Sequence, residues 1–363
     1  MDRDPHVVIA GASFAGLAAA RVLGSRALLV DPEAVGDGQT SACGAPVRVI
    51  ASLGAAASIQ EVHHDLVIHT QGREVRWRVP EPFCTFDYRA CCRAAFETSG
   101  AGFIRASAHG HRGTVALTSA GEIPARVLVD ATGWRAALAG RGAASPPCAA
   151  AAPSGAGRYF GLEAEVPASF AAGLHFYFWP EFAPDGYAWV FPAGRVARVG
   201  VLSYRGRSGL GPHLDAFRLR LALPSGPRHG GFLGTRLGPP VIDGVFVAGD
   251  AAGQCLPFTG EGIRSAVWAG FVCGGLVRGR LDGGLSAASA AAQYAAYVDR
   301  QRRRHRVLEW STLAALRLPA RVLGLLAAWV SRPGPLGAFM RHYLAMFAAE
   351  DGVAAGAGVR TIA

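Results

Sequence analysis

Apolar residues open the chain in short unbroken runs. His6-Val7-Val8-Ile9-Ala10 is apolar on both faces after its first residue, which predicts a strand buried inside a parallel sheet. Gly11-Ala12-Ser13-Phe14-Ala15-Gly16 interrupts it, and good helix formers then predict a helix through Val22 and Leu23. Ala27-Leu28-Leu29-Val30 predicts a second strand, ending on Asp31. The pattern returns twice. Arg126-Val127-Leu128-Val129-Asp130 leads into Ala131-Thr132-Gly133, and Gly244-Val245-Phe246-Val247-Ala248 leads into Gly249-Asp250-Ala251-Ala252-Gly253. After the last of these, a helix is predicted to open at Gly260 to Ile263 and run through Trp268.

Between these runs the pattern changes. Val62–Thr70 and Arg73–Val79 read as two strands turned at Gln71-Gly72. Residues 158–166, 174–179, 187–191 and 196–203 continue as strands rich in aromatics, predicting a mostly antiparallel sheet. Residues 139–157, rich in Ala, Gly, Pro and Ser, read as a loose connection. From about Val307 the tail is predicted helical. Its apolar stripe is Leu313, Leu316, Val322, Leu325, Leu326 and Trp329, interrupted by Arg317, Pro319 and Arg321. Such a stripe suits a helix packed on the body or one lying in a membrane interface.

Composition narrows the class. With 363 residues, 51% hydrophobic and 17% charged, the chain can bury a large core and is not disordered. The sequence contains no lysine, so all 36 basic positions are arginine. Schiff-base chemistry and a P-loop lysine are excluded. The formal charge of +10 suits an anionic partner, but no nucleic-acid motif accompanies it. The densest basic run is Arg300, Arg302, Arg303, Arg304 and Arg306; it reads as a solvated helix face or as a contact for phosphate or anionic lipid. Seven cysteines, Cys148 among them, show no CxxC pair and no metal spacing. No metal site is expected. His63, His64, His69 and His175 are expected on a polar sheet face. No membrane span and no signal peptide are visible, so a cytoplasmic protein is expected, with membrane association through the C-terminal helices as the alternative.

The first strand–turn–helix–strand unit carries a dinucleotide fingerprint. Gly11 permits the tight turn and Gly16 lets helix and strand approach. The helix start offers N–H groups and a partial positive charge to a pyrophosphate. Asp31, 20 positions after Gly11, is placed to accept ribose hydroxyls and to repel a 2′-phosphate, so FAD or NAD is expected rather than NADP. Ser13 stands where the middle glycine is usual. The later motif selects the flavin: Asp250 at a strand end can hold ribityl hydroxyls. The helix opening near Gly260 can aim its positive end at the flavin ring, stabilising the charge of the reduced form.

Together these motifs resemble the FAD-dependent oxidoreductases of the p-hydroxybenzoate hydroxylase superfamily, and look most like its geranylgeranyl reductase branch. The resemblance rests on Gly-x-Ser-x-Ala15-Gly16, on Gly249-Asp250-Ala-Ala-Gly followed by Pro257-x-Thr-Gly260-Glu261-Gly262-Ile263, on Pro184-Asp-Gly-Tyr187-Ala-Trp189-Val-Phe191-Pro192, and on Cys43-Gly44. It spans roughly residues 6–305. It implies a mixed α/β fold: a Rossmann-like three-layer FAD-binding domain interleaved with an antiparallel-sheet substrate domain, plus C-terminal helices. Residues 1–45, 81–135 and 241–300 would form the flavin domain, 46–80 and 136–240 the substrate domain, and 301–363 the helical region.

The resemblance also implies an FAD site that includes Gly11, Ser13, Ala15, Gly16, Asp31, Pro32, Cys43, Gly44, Asp130, Gly133, Gly249, Asp250, Pro257, Gly260, Glu261, Gly262 and Ile263. Arg89 resembles the arginine that supports the FAD pyrophosphate, though the usual aspartate before it is missing. A lysine often follows Phe-Pro in the aromatic signature; Ala193 stands there instead.

Cys43 is a candidate proton donor or redox-active thiol, with a contact to Cys255 as one alternative. Tyr187, Trp189 and Phe191 share one strand face and would wall a cavity for a hydrophobic small-molecule substrate, with the Tyr187 hydroxyl orienting or protonating it. The favoured activity is reduction of isoprenoid carbon–carbon double bonds, with NAD(P)H as the expected electron donor. The alternatives are a monooxygenase of a hydrophobic or aromatic substrate and a non-enzymatic flavin carrier. A flavin-dependent halogenase is a third redox option, loosely echoed by Tyr187-Ala-Trp189-Val-Phe191-Pro192, but the tryptophan-halogenase type, which uses a lysine, is not expected.

Overall fold

The predicted buried runs pair side by side. Val7–Ala10 lies between Ala27–Asp31 and Val127–Asp130 and is parallel to both. The computed structural model, which describes residues 5–140 and 158–348, extends this into a six-stranded sheet. Gly102–Arg105 adds to one edge, and Val245–Val247 followed by Val241–Ile242 add to the other. Most of the Ala/Gly/Pro/Ser-rich connection, with Cys148, lies outside the described residues.

Eight helices are described: α1 (Phe14–Leu23), α2 (Val47–Ser52), α3 (Tyr88–Glu97), α4 (Gly211–Arg220), α5 (Ile263–Leu281), α6 (Ala287–Ala315), α7 (Ala320–Val330) and α8 (Pro333–Leu344). α1 and α5 pack on one face of the six-stranded sheet. A three-stranded sheet (Ala108–Arg112, Val115–Thr118, Gly121–Pro124) sends Ala108, Ala116 and Ile123 into the core on its other face. This is the three-layer arrangement expected of a dinucleotide domain.

α1 and α5 cross almost backbone to backbone. A Cβ on Gly270 would sit 2.3 Å from the Ala15 carbonyl oxygen, and one on Gly274 would sit 2.9 Å from that of Ala19. The atoms met are main chain and cannot rotate away. Gly270→Val is therefore expected to cost more than the ~1–3 kcal/mol of ordinary overpacking. Thermal melting of the purified variant checks this, and an unchanged midpoint would refute the close crossing.

The second sheet has eight strands in the order Arg228–Gly234, Arg158–Val166, Val196–Ser203, Gly186–Ala193, Leu174–Phe178, Ile59–Thr70, Arg73–Phe86, Gly44–Pro46. The hairpin turned at Gln71-Gly72 is longer than its alternation suggested. Its second strand continues past Val79 to Phe86 and pairs there with Gly44–Pro46. All neighbours are antiparallel except Leu174–Phe178 beside Ile59–Thr70.

His64 is exposed as expected, but the other three histidines depart from expectation. His63 and His175 are buried, and His69 stacks on Tyr177 with its Nε2 2.9 Å from His175 Nδ1. His63 lies against Thr85 and the Pro192 carbonyl and His175 against Phe170 and the Ala171 carbonyl, while α4, which has no clear stripe in the sequence, backs Tyr177. Leu214 and Phe217 of α4 cover the sheet face that Tyr177, Ala188 and Val190 share. Burial and the neighbouring His175 push His69 down to about 4, and burial pushes His305 down to about 4.

Both are therefore neutral in the fold, whereas the unfolded chain binds these protons near pH 6.5. Their contribution to stability is complete above that pH and is lost as pH falls toward 4. The melting midpoint is expected to drop between pH 7 and pH 5, and His69→Gln to flatten the drop. An equally steep drop in the variant would remove His69 from the account.

The tail is not one helix from Val307. α6 starts at Ala287 and ends at Ala315, and α7 follows Pro319, whose ring cannot continue a helix. α8 then packs Leu336 and Met340 into the main core.

Candidate functional site

One cavity of about 1050 Å³ runs between the two sheets and out beneath the C-terminal helices. Its first end is built by the opening βαβ unit. Gly11 has φ +104°, and a Cβ there would sit 2.1 Å from the Ala131 carbonyl oxygen. A Cβ on Gly16 would sit 1.9 Å from the Gly11 oxygen, so both positions require glycine. Asp31 is held at the strand end, accepting from Ala12 N at 2.8 Å and Glu33 N at 2.9 Å. Ser13 is extended and its hydroxyl accepts from Tyr88 Oη at 3.1 Å, which fixes it at the start of α1. No side chain caps that helix start, and Ser13, Phe14 and Ala15 line the cavity. This is an anion cradle with a carboxylate beside it.

The second end is built by the late loop. Gly249 has φ +67° and Asp250 lines the cavity, accepting from Gly234 N at 3.3 Å. Burial raises the Asp250 carboxyl to about 6, so a partner able to hydrogen-bond it is favoured there. α5 begins at Ile263 with Gly262 before it and no capping side chain. Its positive end is thus available to the cavity.

Three tyrosines hold the loop between. Tyr187 donates to the Thr259 carbonyl, Tyr204 to the Phe258 carbonyl at 2.6 Å, and Tyr343 to Thr259 Oγ1 at 2.9 Å. They stabilise Phe258 at φ +68°, a costly value for a non-glycine residue. Glu261 lines the cavity, yet both its oxygens are engaged by Arg264, Nε to Oε1 at 2.8 Å and Nη2 to Oε2 at 2.9 Å. The two ends of the cavity together fit FAD: a phosphate cradle and ribose carboxylate at one, a ribityl carboxylate and helix start at the other.

The far wall is the eight-stranded sheet. Leu174, Phe176 and Phe178 alternate on one face of their strand, beside Tyr187, Trp189 and Phe191 on the next, and all six line the cavity. Gly44 leaves room for the Phe191 ring, since a Cβ would come within 3.2 Å of it. Gly200 does the same under the Trp189 indole, where a Cβ would stand 2.0 Å away.

Cys43 lines the cavity at φ +52° and is fully buried. Its thiol faces the Ser41 carbonyl and Gln39 Nε2, each at 3.4 Å. Burial pushes the thiol well up, opposed by the Arg198 cation and assisted by Glu163. Cys255 is a separate free thiol whose electrostatic neighbours are Asp250 and Glu261.

Glu163, which the sequence did not single out, is buried among charges. Trp189 Nε1 donates to it at 2.8 Å, His229 Nε2 lies 3.1 Å away and Arg198 Nη1 3.5 Å away. Gln39 Nε2 lies 3.3 Å from the same His229 nitrogen, which links this group to Cys43. The alternation of the strands 158–166 and 196–203 was the available signal, because it places Glu163 and Arg198 on inward faces.

Not every expected residue reaches the cavity. Gly11, Ser13, Ala15, Pro32, Gly44, Gly133, Gly260, Gly262 and Ile263 line it. Asp130 is turned into the turn after its strand, accepting from Thr132 N, Thr132 Oγ1 and Ala139 N at 2.7–2.9 Å. Arg89 reaches the site through an ion pair with Asp37 at 2.9 Å, and Asp37 is the lining residue. Pro257 serves the backbone of the clamped loop: Thr259 N donates to its carbonyl at 2.8 Å.

No protein-family model matches the chain. Among curated proteins, it is 36% identical over 110 residues to a digeranylgeranylglycerophospholipid reductase of Methanocaldococcus jannaschii, a match covering 28% of either chain. It is 28% identical over 239 residues to the reductase of that name from Methanoculleus marisnigri, covering 61% of this chain and 57% of that protein. These matches take in only part of those relatives' length. A geranylgeranyl bacteriochlorophyll reductase-like protein from Thermoplasma acidophilum superposes with a TM-score of 0.79 at 18% identity, covering 96% of this chain and 97% of that one. A flavin-dependent brominase superposes at 0.73 with 14% identity over 97% of each chain. The sequence matches bear out the resemblance to the geranylgeranyl reductase branch, and the superpositions bear out the fold.

Proposed function

We propose that this chain is an FAD-dependent oxidoreductase that reduces carbon–carbon double bonds in an isoprenoid chain or a similar hydrophobic substrate. The observation that carries the reading is the single cavity: it fits FAD along one side and presents six apolar and aromatic side chains, with Cys43, along the other. At about 1050 Å³ it lies at the top of the ~300–1,000 Å³ range of ligand sites, and its lining runs on from the two FAD-fitting ends to the six apolar and aromatic side chains. The curated relatives named as reductases of a geranylgeranylated phospholipid support the same class.

When bound, held by the Gly11–Ala15 turn, Asp31, Asp250 and the start of α5, FAD would supply hydride chemistry at an alkene carbon, with NAD(P)H as the proposed electron donor. The other carbon then needs a proton from a placed donor, because no adjacent carbonyl stabilises developing charge. Tyr187 is a poor source, since its hydroxyl proton is committed to the Thr259 carbonyl. Cys43 is the better one: burial keeps its thiol protonated, and Arg198 stabilises the thiolate left behind. Gln39 Nε2 donates to the Cys43 sulfur and lies 3.3 Å from His229 Nε2, so it would position the thiol and support the thiolate by hydrogen bonding.

The test is anaerobic. The flavin is reduced and then mixed with geranylgeranylated lipid or a prenylquinone. Reoxidation without oxygen, with a product heavier by two hydrogens, is expected. Reoxidation only with oxygen, with a product heavier by one oxygen atom, would replace the reading with a monooxygenase.

A further inference from the structure

Among the described residues ten large hydrophobic side chains are exposed, and eight of them lie between Val307 and Trp329. They lie on the end of α6, the Pro319 turn and α7. α7 inverts the usual burial rule: it buries Gly324 and Ala327 and turns Val322, Leu325, Leu326 and Trp329 outward. Its inner edge is fixed in place. Trp77 Nε1 donates to the Ala327 carbonyl at 3.0 Å, and a Cβ on Gly324 would sit 2.6 Å from Thr70 Oγ1. The outward face is therefore a built surface. Trp310 is 64% exposed, Leu325 60% and Trp329 54%, more than scattered apolar residues explain.

We infer that this face docks on an anionic lipid bilayer and that the substrate cavity opens into the bilayer through it. Charge selects the occupant. Arg303, Arg304, Arg306, Arg317, Arg321 and Arg332 are exposed around the apolar face, and Glu309 is the sole acidic residue between Arg300 and Arg332. An isologous contact with a second copy would set these arginines against their equivalents. Phosphate headgroups would neutralise them while tryptophan and leucine enter the interface. No helix among the described residues is long and apolar enough to cross a membrane, so attachment is to one leaflet.

The same face holds the mouth of the cavity. Leu318, Leu326 and Trp329 are both exposed and cavity-lining, and Leu323 and Val330 lead inward from them. A hydrophobic chain can thus pass from bilayer to cavity without crossing water. This loading step rests on the proposed reductase reading; docking does not.

Flotation with vesicles of phosphatidylglycerol and phosphatidylcholine, against phosphatidylcholine alone, tests docking. Binding at least tenfold tighter to the anionic vesicles is expected. The double variant Trp310→Glu/Leu325→Glu, at positions outside the cavity lining, should lose at least tenfold of that binding and keep its flavin. No binding by the wild type, or equal binding by the variant, overturns the docking. So does a wild-type dimer that the variant dissociates, which would assign the face to a second copy. For loading, the variant should lose turnover on vesicle-embedded substrate but not on detergent-dispersed substrate; equal loss on both overturns the portal. If vesicles bind and the wild type turns over neither form, the reductase reading fails and the docking stands.

Discussion

Arg264→Ala is expected to destabilise the protein by about 3–5 kcal/mol and to release bound flavin. Arg264 is fully buried in the first turn of α5, where a positive charge opposes the helix dipole. It is tolerable only because the paired Glu261 carboxylate faces it along two hydrogen bonds. Its remaining nitrogen donates to the Leu344 carbonyl at 3.3 Å and to Met346 O at 2.5 Å. The Tyr343 ring lies 4.9 Å from the guanidinium. Removing the arginine leaves the buried Glu261 carboxylate with the Tyr343 hydroxyl but without its charge partner, and loosens the end of α8 from the loop. Chemical denaturation with flavin fluorescence reads both effects. Arg264→Met/Glu261→Gln should recover part of the loss, because neither partner is then left charged. A single variant within about 0.5 kcal/mol of wild type would show that the pair is not what holds the tail.

The second large effect is chemical. Cys43→Ala is expected to lower double-bond reduction by about 10²–10⁴-fold, the range of a positioned general acid, with flavin content unchanged. The Sγ atom sits in the cavity against Ser41 and Gln39, and alanine keeps the backbone and Cβ while removing the thiol proposed as the proton source. Single-turnover reoxidation of reduced enzyme by substrate is the measurement. Flavin reduction by NAD(P)H should proceed as before. Wild-type reoxidation in the alanine variant would move the donor role elsewhere, with His229 next in reach.

Much of the site was legible because its parts are local. Gly11, Gly16 and Asp31 belong to one strand–turn–helix–strand unit, and Gly249-Asp250 and Gly262-Ile263 to one strand–loop–helix segment, so spacing alone brings each group together. The rest depends on partners far apart in sequence. Tyr187, Tyr204 and Tyr343 converge on Phe258 and Thr259 from three separate elements, and nothing near Tyr343 in the chain announces it. Glu163, Arg198 and His229 meet only because three antiparallel strands bring them together. The same limit explains the histidines. Alternation placed them on a sheet face, but it is Pro192 beside His63, Phe170 and Ala171 beside His175, and α4 behind Tyr177 that make their surroundings an interior. Asp130 followed a further logic: its strand end looked like a cofactor position, yet its three hydrogen bonds close its own turn.

The crossing of α1 and α5 at Gly270 and Gly274 has a consequence for which cofactor can work. One helix begins at the phosphate cradle and the other at the ring end of the cavity, and their main chains are locked together between. The protein thus carries a fixed gauge, and the interval between its marks is set by glycines rather than by the ligand. A flavin mononucleotide would reach only the Asp250 mark and leave the Asp31 mark unread. A fold so built would measure its cofactor by length, before any redox chemistry begins.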